Sequence, residues 1–256
     1  MKVVILAGGY GTRLSEETKL KPKPMVEINS KPILWHLIEF YKSYGYYDFI
    51  ICCGYKSNYI KNYFIKKVKI KDKKINYLNK KDIAINSKNL NIIIADTGLK
   101  TGTAGRLKRI KRYINKEKNF MMTYGDGLSD INLSKLIKHH NKQKKLVTVT
   151  AVNPPPRWGS LVIKGNNVTD INEKFSHKGD RINGGFFVIS LKALDLIDNY
   201  NQHWEREPLK KISKKRQLNA YKHNGFWQPM DTLREKNLLN NIAKKKKAPW
   251  IINVKK

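Results

Sequence analysis

The stretch VVILAGGYGTRL, which begins at Val3, constrains the fold more than any other feature of this sequence. An apolar run that leads directly into the glycines at positions 8, 9 and 11 is typical of a buried strand that ends in a tight loop. A strand, a glycine turn and a helix in this order can present backbone N–H groups to a bound phosphate. The stretch therefore predicts an α/β fold, with a loop after its first strand that is either an anion site or simply a turn.

The rest of the first half alternates strand and helix patterns. Apolar runs at 2–6, 48–53, 91–95 and 120–124 predict strands, and helices are predicted from Pro32, at 58–64 and at 106–114. Alternation of this kind predicts a mostly parallel mixed sheet with helices on both faces. A lysine- and asparagine-rich segment, 66–89, interrupts the pattern, and we interpret it as a small insertion that contains a short hairpin.

The second half is more mixed but continues the same fold. It contains apolar or alternating runs that predict strands at 146–152, 161–163, 183–190 and 217–221. Helical patterns lie at 133–140, 191–198, 206–213 and 233–243. Because 256 residues suffice for one substantial core, we expect a single domain spanning residues 1–256.

The net charge of +32 suggests a polyanion partner at first sight. However, only nine of the 52 basic residues are arginine, and the lysines are spread along nearly the whole chain. Phosphate-binding surfaces favour arginine, because its guanidinium group can form two parallel hydrogen bonds to a phosphate. We therefore attribute the excess of Lys, Asn and Ile to an AT-rich coding bias. We expect neither a nucleic-acid nor a membrane partner. No apolar run approaches the roughly 18 residues of a membrane span, and we expect a cytoplasmic protein without a signal peptide.

The two cysteines, Cys52 and Cys53, are adjacent in a predicted strand. Neighbouring strand residues point to opposite faces, which makes a structural disulfide between them unfavourable. We predict two free and buried thiols.

The glycine turn does not match the common nucleotide motifs. It lacks the third glycine of the dinucleotide fingerprint, and no GxxxxGK[ST] sequence is present. Thr12 and Arg13 nevertheless follow the glycines directly, and a hydroxyl next to a guanidinium suits a polyphosphate. Lys23 stands between Pro22 and Pro24, so its positive charge loses little conformational freedom on binding. These residues favour a phosphate site over a simple turn.

LAGGYGTRL followed by PKPM resembles the signature of the sugar nucleotidyltransferases. Further stretches extend the resemblance from residue 1 to about 249, and they are most similar to the branch of the family that transfers a cytidylyl group to glucose 1-phosphate: KPILWHLIEFY, DFIICCGYK, DTG, GRLKR, TYGDG, INGGFFV and GFWQPMDTLRE. The resemblance implies a Rossmann-like nucleotide-diphospho-sugar transferase fold. It also implies the substrates CTP and glucose 1-phosphate, the products CDP-glucose and pyrophosphate, a Mg²⁺ cofactor and a homo-oligomer.

The reaction that the resemblance implies is attack by the sugar phosphate on the α-phosphate of the nucleotide. An anionic nucleophile needs no general base, so the site must orient two polyanions and neutralise the leaving group. By resemblance, Arg13 and Lys23 are catalytic, and Asp126 and Asp231 hold Mg²⁺. The nucleotide-binding residues implied are Leu6, Ala7, Gly8, Gly9, Gly11, Thr12, Arg13, Lys23, Thr103 and Arg106.

For the sugar phosphate, the resemblance implies Glu173, Lys174, Asn183 and Gly184, which places this subsite in residues 146–230. The chain departs from the family pattern in two places: Phe175 stands where we expect proline, and Ala104 where we expect glycine. The aromatic residues Trp158, Phe226 and Trp227 suit either the sugar site or the core.

Two alternative functions remain. A thymidylyl- or uridylyltransferase uses the same mechanism, because base choice depends on contacts that motif spacing does not resolve. A catalytically silent anion- or nucleic-acid-binding protein on the same fold belongs to a different class. It predicts the loss of Arg13, Lys23, Asp126 or Asp231, and all four are present.

Overall fold

The computed structural model describes residues 1–67, 72–155, 160–164, 167–172, 181–245 and 248–251. The strands are β1 (Val3–Ala7), β2 (Glu27–Ile28), β3 (Lys31–Pro32), β4 (Asp48–Cys53), β5 (Lys74–Tyr77), β6 (Ile83–Ser87), β7 (Leu90–Asp96), β8 (Asn119–Tyr124), β9 (Gly127–Ser129), β10 (Val147–Val152), β11 (Ser160–Lys164), β12 (Asn167–Asn172), β13 (Ile182–Ser190), β14 (Leu218–His223) and β15 (Trp227–Pro229).

The helices lie between these strands and after the last of them. The α-helices are α1 (Ser15–Thr18), α2 (Ile33–Ser43), α3 (Ser57–Asn62), α4 (Thr103–Arg109), α5 (Lys111–Ile114), α6 (Leu133–Gln143), α7 (Glu207–Lys214) and α8 (Leu233–Lys244). Short 3₁₀ helices span Thr12–Leu14, Lys23–Met25 and Leu191–Leu196, and a π-helical turn spans Tyr63–Lys67. Among the described residues, no helix is both long and apolar enough to cross a bilayer.

One mixed sheet organises the molecule. Within the described residues it contains nine strands in the order β14-β10-β13-β8-β1-β4-β7-β6-β5. The central strands β8, β1, β4 and β7 are parallel, whereas β13 and β6 flank them in the antiparallel direction. The prediction of a mixed α/β sheet is therefore confirmed.

Helices cover both faces of the sheet, as predicted. Alternate residues of β1 divide between two buried clusters: Val3 and Ile5 join helices α2, α6 and α8, and Val4 and Leu6 join α4, α5 and α7. This alternation is the period-two pattern of a strand that is buried on both faces. The cysteines follow it, with Cys53 in the first cluster and Cys52 in the second; both are free and buried.

Three local predictions have distinct outcomes. The insertion contains the expected hairpin, because β5 and β6 pair antiparallel, and β6 also joins the main sheet through β7. The single helix expected at 106–114 is wrong: it is divided into α4 and α5 at Ile110, whose φ of −92° and ψ of 4° leave the helical region. The helix expected at 191–198 is instead the 3₁₀ helix Leu191–Leu196.

The parallel strands bring the sequence motifs together. The carboxyl ends of β1, β4, β7 and β8 lie at one edge of the sheet, where open α/β sheets bind ligands. The glycine loop follows β1, and Gly125-Asp126 follows β8. The glycine loop and Gly125-Asp126, which are far apart in the chain, therefore lie at the same edge of the sheet.

Candidate active site

A cavity of about 1070 Å³ opens at this edge of the sheet. Its volume is slightly above the roughly 300–1000 Å³ of common ligand sites, which suits two ligands side by side. The glycine loop and Lys23 form one part of its wall, and Asn183, Trp227 and the segment 201–205 contribute to the rest. Of the sequence-predicted nucleotide residues, those lining the cavity are Leu6, Gly8, Gly9, Gly11, Thr12, Arg13, Lys23, Thr103 and Arg106.

Ala7 is the exception, because it is buried in the core beneath the loop. Glycine is required at two positions of the loop itself. Gly11 has a φ of +68°, which disfavours any larger residue. At Gly8, a Cβ atom would lie 2.2 Å from Nη1 of Arg106, so a side chain would displace the guanidinium. The loop therefore approaches Arg106 as closely as the backbone allows.

Lys23 is a cation of the cavity wall that is almost fully enclosed. The residue is 7% exposed, and the proline on either side fixes the local backbone. Its Nζ lies 2.6 Å from Oδ2 of Asp126 and 2.6 Å from Oδ1 of Asp231. Burial alone lowers the pKa of Lys23, but the two carboxylates together outweigh burial and raise it. The ammonium group is therefore charged and fixed in place.

Arg13 contacts the same pair from the solvent side. Its Nη1 lies 2.6 Å from Oδ2 of Asp231, while 69% of its side chain remains exposed. An exposed arginine beside a buried lysine can move towards an incoming phosphate without leaving a buried charge unpaired. The two predicted catalytic cations thus have different freedom of movement.

Strand pairing brings the two aspartates together across 105 positions of sequence. Strands β9 and β15 pair antiparallel, and the N–H of Met230 donates to the carbonyl of Asp126 at 2.8 Å. Asp231 directly precedes Thr232, which caps α8 in a reciprocal capping box with Glu235. The N–H of Asp231 also donates to Oε2 of Glu235 at 2.7 Å, so the backbone at the carboxylate is fixed.

The two carboxylates fit a hard divalent cation. Their oxygens lie at equal distances from a single nitrogen, so they are at most twice 2.6 Å apart. Within the described residues, no cluster of three or more His, Cys, Asp or Glu side chains could hold a metal. A cation here would therefore complete its shell with phosphate oxygens and water, as Mg²⁺ commonly does in phosphoryl-transfer sites.

Arg106 lines the cavity, but most of its hydrogen bonds are made to the protein. Its Nη1 donates to the carbonyls of Cys53 and Gly98 and to Oγ1 of Thr97, and its Nη2 donates to the carbonyl of Gly8, all within 3.0 Å. Burial lowers the pKa of Arg106. The guanidinium therefore ties together the ends of β1, β4 and β7, in addition to facing the cavity where the sequence predicted nucleotide contacts.

The sugar-phosphate residues divide into two groups. Asn183 lines the cavity, whereas Gly184 lies behind it and accepts a hydrogen bond at 2.6 Å from Nε1 of Trp227. Glu173 and Lys174, with the unexpected Phe175, lie outside the described residues. A Cβ at Gly184 would lie 2.7 Å from Cγ1 of Val152, so packing against Val152 accounts for the glycine at this position.

The structure also places Ala104 and two of the three aromatic residues that suited either the sugar site or the core. Ala104 is fully buried in α4, and its methyl group is accommodated there. The position that does require glycine is the next one, Gly105, because a Cβ there would lie 1.9 Å from the carbonyl oxygen of Tyr200. Trp227 lines the cavity, Phe226 packs on the core against Trp250, and Trp158 lies outside the described residues.

Sequence reasoning missed Tyr124 and Glu205, which both line the cavity. Tyr124 belongs to the quoted TYGDG motif, so its position next to Gly125-Asp126 was an available signal. Glu205 lies in a short polar connection between 3₁₀ helix Leu191–Leu196 and α7, and no local pattern marks it. Only the fold brings it to the cavity.

Comparisons with known proteins agree with this geometry. The family model described as Nucleotidyl transferase matches residues 2–231. The chain is 46% identical over 253 residues to a glucose-1-phosphate cytidylyltransferase of Salmonella typhimurium, with 98% of both chains covered. It is 41% identical to a probable glucose-1-phosphate cytidylyltransferase of Bacillus subtilis, covering 93% of this chain and 94% of the relative. A crystal structure of a putative glucose-1-phosphate thymidylyltransferase from Bacillus anthracis superimposes with a TM-score of 0.70 at 18% identity, covering 100% of this chain and 98% of the other.

Proposed function

The chain belongs to the nucleotidyl transferase family, and from this premise we propose that it joins CTP and α-D-glucose 1-phosphate to give CDP-glucose and pyrophosphate. The single observation that carries the proposal is the arrangement of Lys23 between Asp126 and Asp231, with Arg13 beside them. Two polyanions can meet only where positive charge neutralises them, and such a site needs basic side chains together with carboxylates that can hold a divalent cation. The identity of the substrates rests on the two cytidylyltransferase relatives.

The residues of the chain act mainly by positioning and charge. The backbone of the glycine loop can approach the nucleotide phosphates closely, because no side chain stands in the way at Gly9. Lys23, held in place before the substrates arrive, stabilises the charge that develops at the α-phosphate. Arg13, being exposed, moves to the leaving pyrophosphate. The attacking phosphate oxygen of the sugar is already anionic, so no protein base removes a proton.

We further propose that Asp126 and Asp231 hold Mg²⁺. When bound, the cation would neutralise phosphate charge and orient the triphosphate. Two carboxylates suit it because both are oxygen donors, and because the charged ammonium group of Lys23 between them shows that positive charge is stable at this place.

The sugar phosphate is assigned to the other side of the cavity, within residues 146–230. Asn183 faces that space, and Trp227 is fixed beside it through its bond to Gly184. Glu173 and Lys174 remain proposed contacts on the basis of the family resemblance.

The test is pyrophosphate release with glucose 1-phosphate and Mg²⁺, with CTP, UTP, dTTP and ATP assayed in parallel. We expect release with CTP, and mass spectrometry of the product should give CDP-glucose. Release with dTTP or UTP alone would support the proposed mechanism but show that the nucleotide substrate is not CTP. Absence of release with every nucleotide and sugar phosphate would favour the silent anion-binding protein.

A homo-oligomer is also proposed, with the insertion as its contact region. Among the described strands, β5 is an edge of the sheet, and Tyr77 at its end is 77% exposed. A large exposed aromatic residue on an edge strand favours association. Light scattering after size exclusion measures the mass, and Tyr77→Lys should lower it if the edge is the contact.

A further inference from the structure

Glu205 is a carboxylate in the wall of a cavity that is proposed to hold two polyanions. It is exposed, and it lines the same space as Arg13 and Lys23. A carboxylate repels phosphate groups, so at this place it would weaken substrate binding unless it faced a neutral hydrogen-bond donor. The transfer chemistry does not use it.

Two hydroxyl groups fix the orientation of this carboxylate. Oε1 accepts a hydrogen bond from the hydroxyl of Tyr124, and Oε2 accepts one from Oγ1 of Thr103 at 2.8 Å. The Thr103 hydroxyl in turn accepts from the backbone N–H of Trp204 at 2.7 Å, which directs its own hydrogen to Glu205. Each carboxylate oxygen keeps a further lone pair for another donor.

The hydroxyl of Tyr124 is the donor in its contact with Glu205. An ionised carboxylate carries no proton and can only accept. Glu205 is therefore the acceptor in this pair. Because each oxygen of the Glu205 carboxylate accepts a hydrogen bond from the protein, the carboxylate is oriented before any ligand binds.

Backbone packing attaches Glu205 to the nucleotide side of the cavity. The segment that carries it passes directly over the start of α4: a Cβ at Gly102 would lie 2.2 Å from the carbonyl oxygen of Gln202. Thr103, which is bonded to Glu205, begins α4, the helix that carries Arg106. Glu205 is thus fixed to the same turn as the proposed nucleotide contacts.

We propose that Glu205 accepts hydrogen bonds from the ribose hydroxyls of the nucleotide, and that it selects ribonucleotides over deoxyribonucleotides. This inference rests on the proposed function. The two outward lone pairs of a fixed carboxylate match the two vicinal hydroxyls of a ribose, and an acidic side chain binds ribose hydroxyls in the same way in dinucleotide-binding folds. Such a contact also explains why an anion is retained in a phosphate-binding cavity.

The experiment compares CTP, 2′-deoxy-CTP and 3′-deoxy-CTP on the wild-type chain, Glu205→Gln and Glu205→Ala. Both kcat/KM and the calorimetric Kd of each nucleotide are measured. The wild-type chain should prefer CTP about tenfold over the deoxy analogue that lacks the contacting hydroxyl, as expected for a hydrogen bond to a charged group. In Glu205→Ala that preference should fall to near onefold, with a smaller reduction in Glu205→Gln.

A purely structural role for Glu205 would lower the values for all three nucleotides alike and leave their ratios unchanged, which would overturn the inference. Glu207→Gln is the matched control, because Glu207 is exposed two residues further on and does not line the cavity; it should keep the wild-type ratios. Wild-type binding of deoxy-CTP as tight as that of CTP would also overturn it.

A second part of the experiment compares glucose 1-phosphate with deoxyglucose 1-phosphates on the same variants. If the effect of Glu205→Ala is instead specific to deoxyglucose 1-phosphates, the carboxylate binds the glucose hydroxyls and the ribose assignment is wrong. If CTP supports no turnover but the binding ratio responds to Glu205→Ala as expected, the inference stands and the proposed function alone fails.

Discussion

The glycine-loop side of the cavity and its Asn183 side are held by different interactions. On the first side, buried cations are fixed by charged or carbonyl oxygens: Lys23 by two carboxylates, and Arg106 by the ends of three parallel strands. On the second side, neutral groups meet, as in the bond from Trp227 to Gly184. Preorganised charge suits phosphates, and neutral polar groups suit hydroxyls. Substitutions on the first side should therefore change turnover and stability, and those on the second side should change the affinity for one substrate.

Asp126→Asn should have the largest effect. The change is isosteric but removes one of the two carboxylates proposed for the cation, so turnover should fall roughly 1000-fold. Pyrophosphate release across a range of Mg²⁺ concentrations measures the loss, and circular dichroism should show an intact fold. Asp195→Asn, which removes an exposed carboxylate paired with Lys111, is the control and should have wild-type turnover. Unchanged Mg²⁺ dependence in Asp126→Asn would show that the metal assignment is wrong.

Lys23→Met should lower kcat roughly 100-fold and change the KM for glucose 1-phosphate much less. The methionine keeps most of the volume but removes the charge that we propose acts at the α-phosphate. Steady-state kinetics with each substrate varied in turn separates the two parameters. Lys21→Met, two residues earlier beyond Pro22, serves as the control. A change confined to the KM for glucose 1-phosphate would place Lys23 on the other side of the cavity.

Arg106→Lys should act mainly on stability. A single ammonium group cannot reach all four acceptors of the guanidinium, so the free energy of unfolding should fall by about 2 kcal/mol. Urea denaturation measures the change. Arg109→Lys, on the exposed side of the same helix, should change it by less than about 0.5 kcal/mol. Equal stability losses in the two variants would refute the bracing role of Arg106.

Trp227→Phe tests the neutral side of the cavity and should have a smaller effect. The phenylalanine fills most of the space but leaves the carbonyl of Gly184 without its donor. The KM for glucose 1-phosphate should rise about fivefold, while the KM for CTP stays the same, because one neutral hydrogen bond contributes about 1 kcal/mol. A rise in the KM for CTP instead would remove the distinction between the two sides.

The smallest expected effect is that of alkaline pH. Because the pKa of Lys23 is raised, its contribution to stability is fully present below the ordinary lysine value of about 10.4 and is lost only as pH rises through the raised value. Turnover and the free energy of unfolding should therefore lack a Lys23-dependent decrease between about pH 7.5 and 9.5. A decrease in this range that disappears in Lys23→Met would show that the carboxylates do not hold the lysine charged.

Residues of the glycine-loop side could be named from the sequence because that side is built from short, contiguous signals. A buried strand, its glycine turn and the proline-flanked Lys23 all lie within 25 residues of the start. Their positions relative to Asp126 follow from the parallel order of the strands. Physical reasoning and family resemblance therefore gave the same residues.

The sequence was less informative wherever tertiary contacts decide the structure. Glu205 went unnoticed because its partners Tyr124 and Thr103 lie 81 and 102 positions away. Arg106 was predicted as a nucleotide contact, but three of its four acceptors are backbone carbonyls, which carry no sequence signal. The break at Ile110 is likewise absent from the apolar pattern, which continues through it.

The division of the two cysteines between opposite cores has a practical consequence. Burial raises the pKa of the Cys52 thiol to about 12 and raises that of Cys53 as well, so both thiols are protonated and enclosed under ordinary labelling conditions. Since the chain has no other cysteine, a single one introduced on the surface would be the only thiol that reacts with maleimide dyes. A fluorophore at Tyr10, which is 48% exposed at the rim of the cavity, would then report substrate entry in real time on an otherwise unmodified protein.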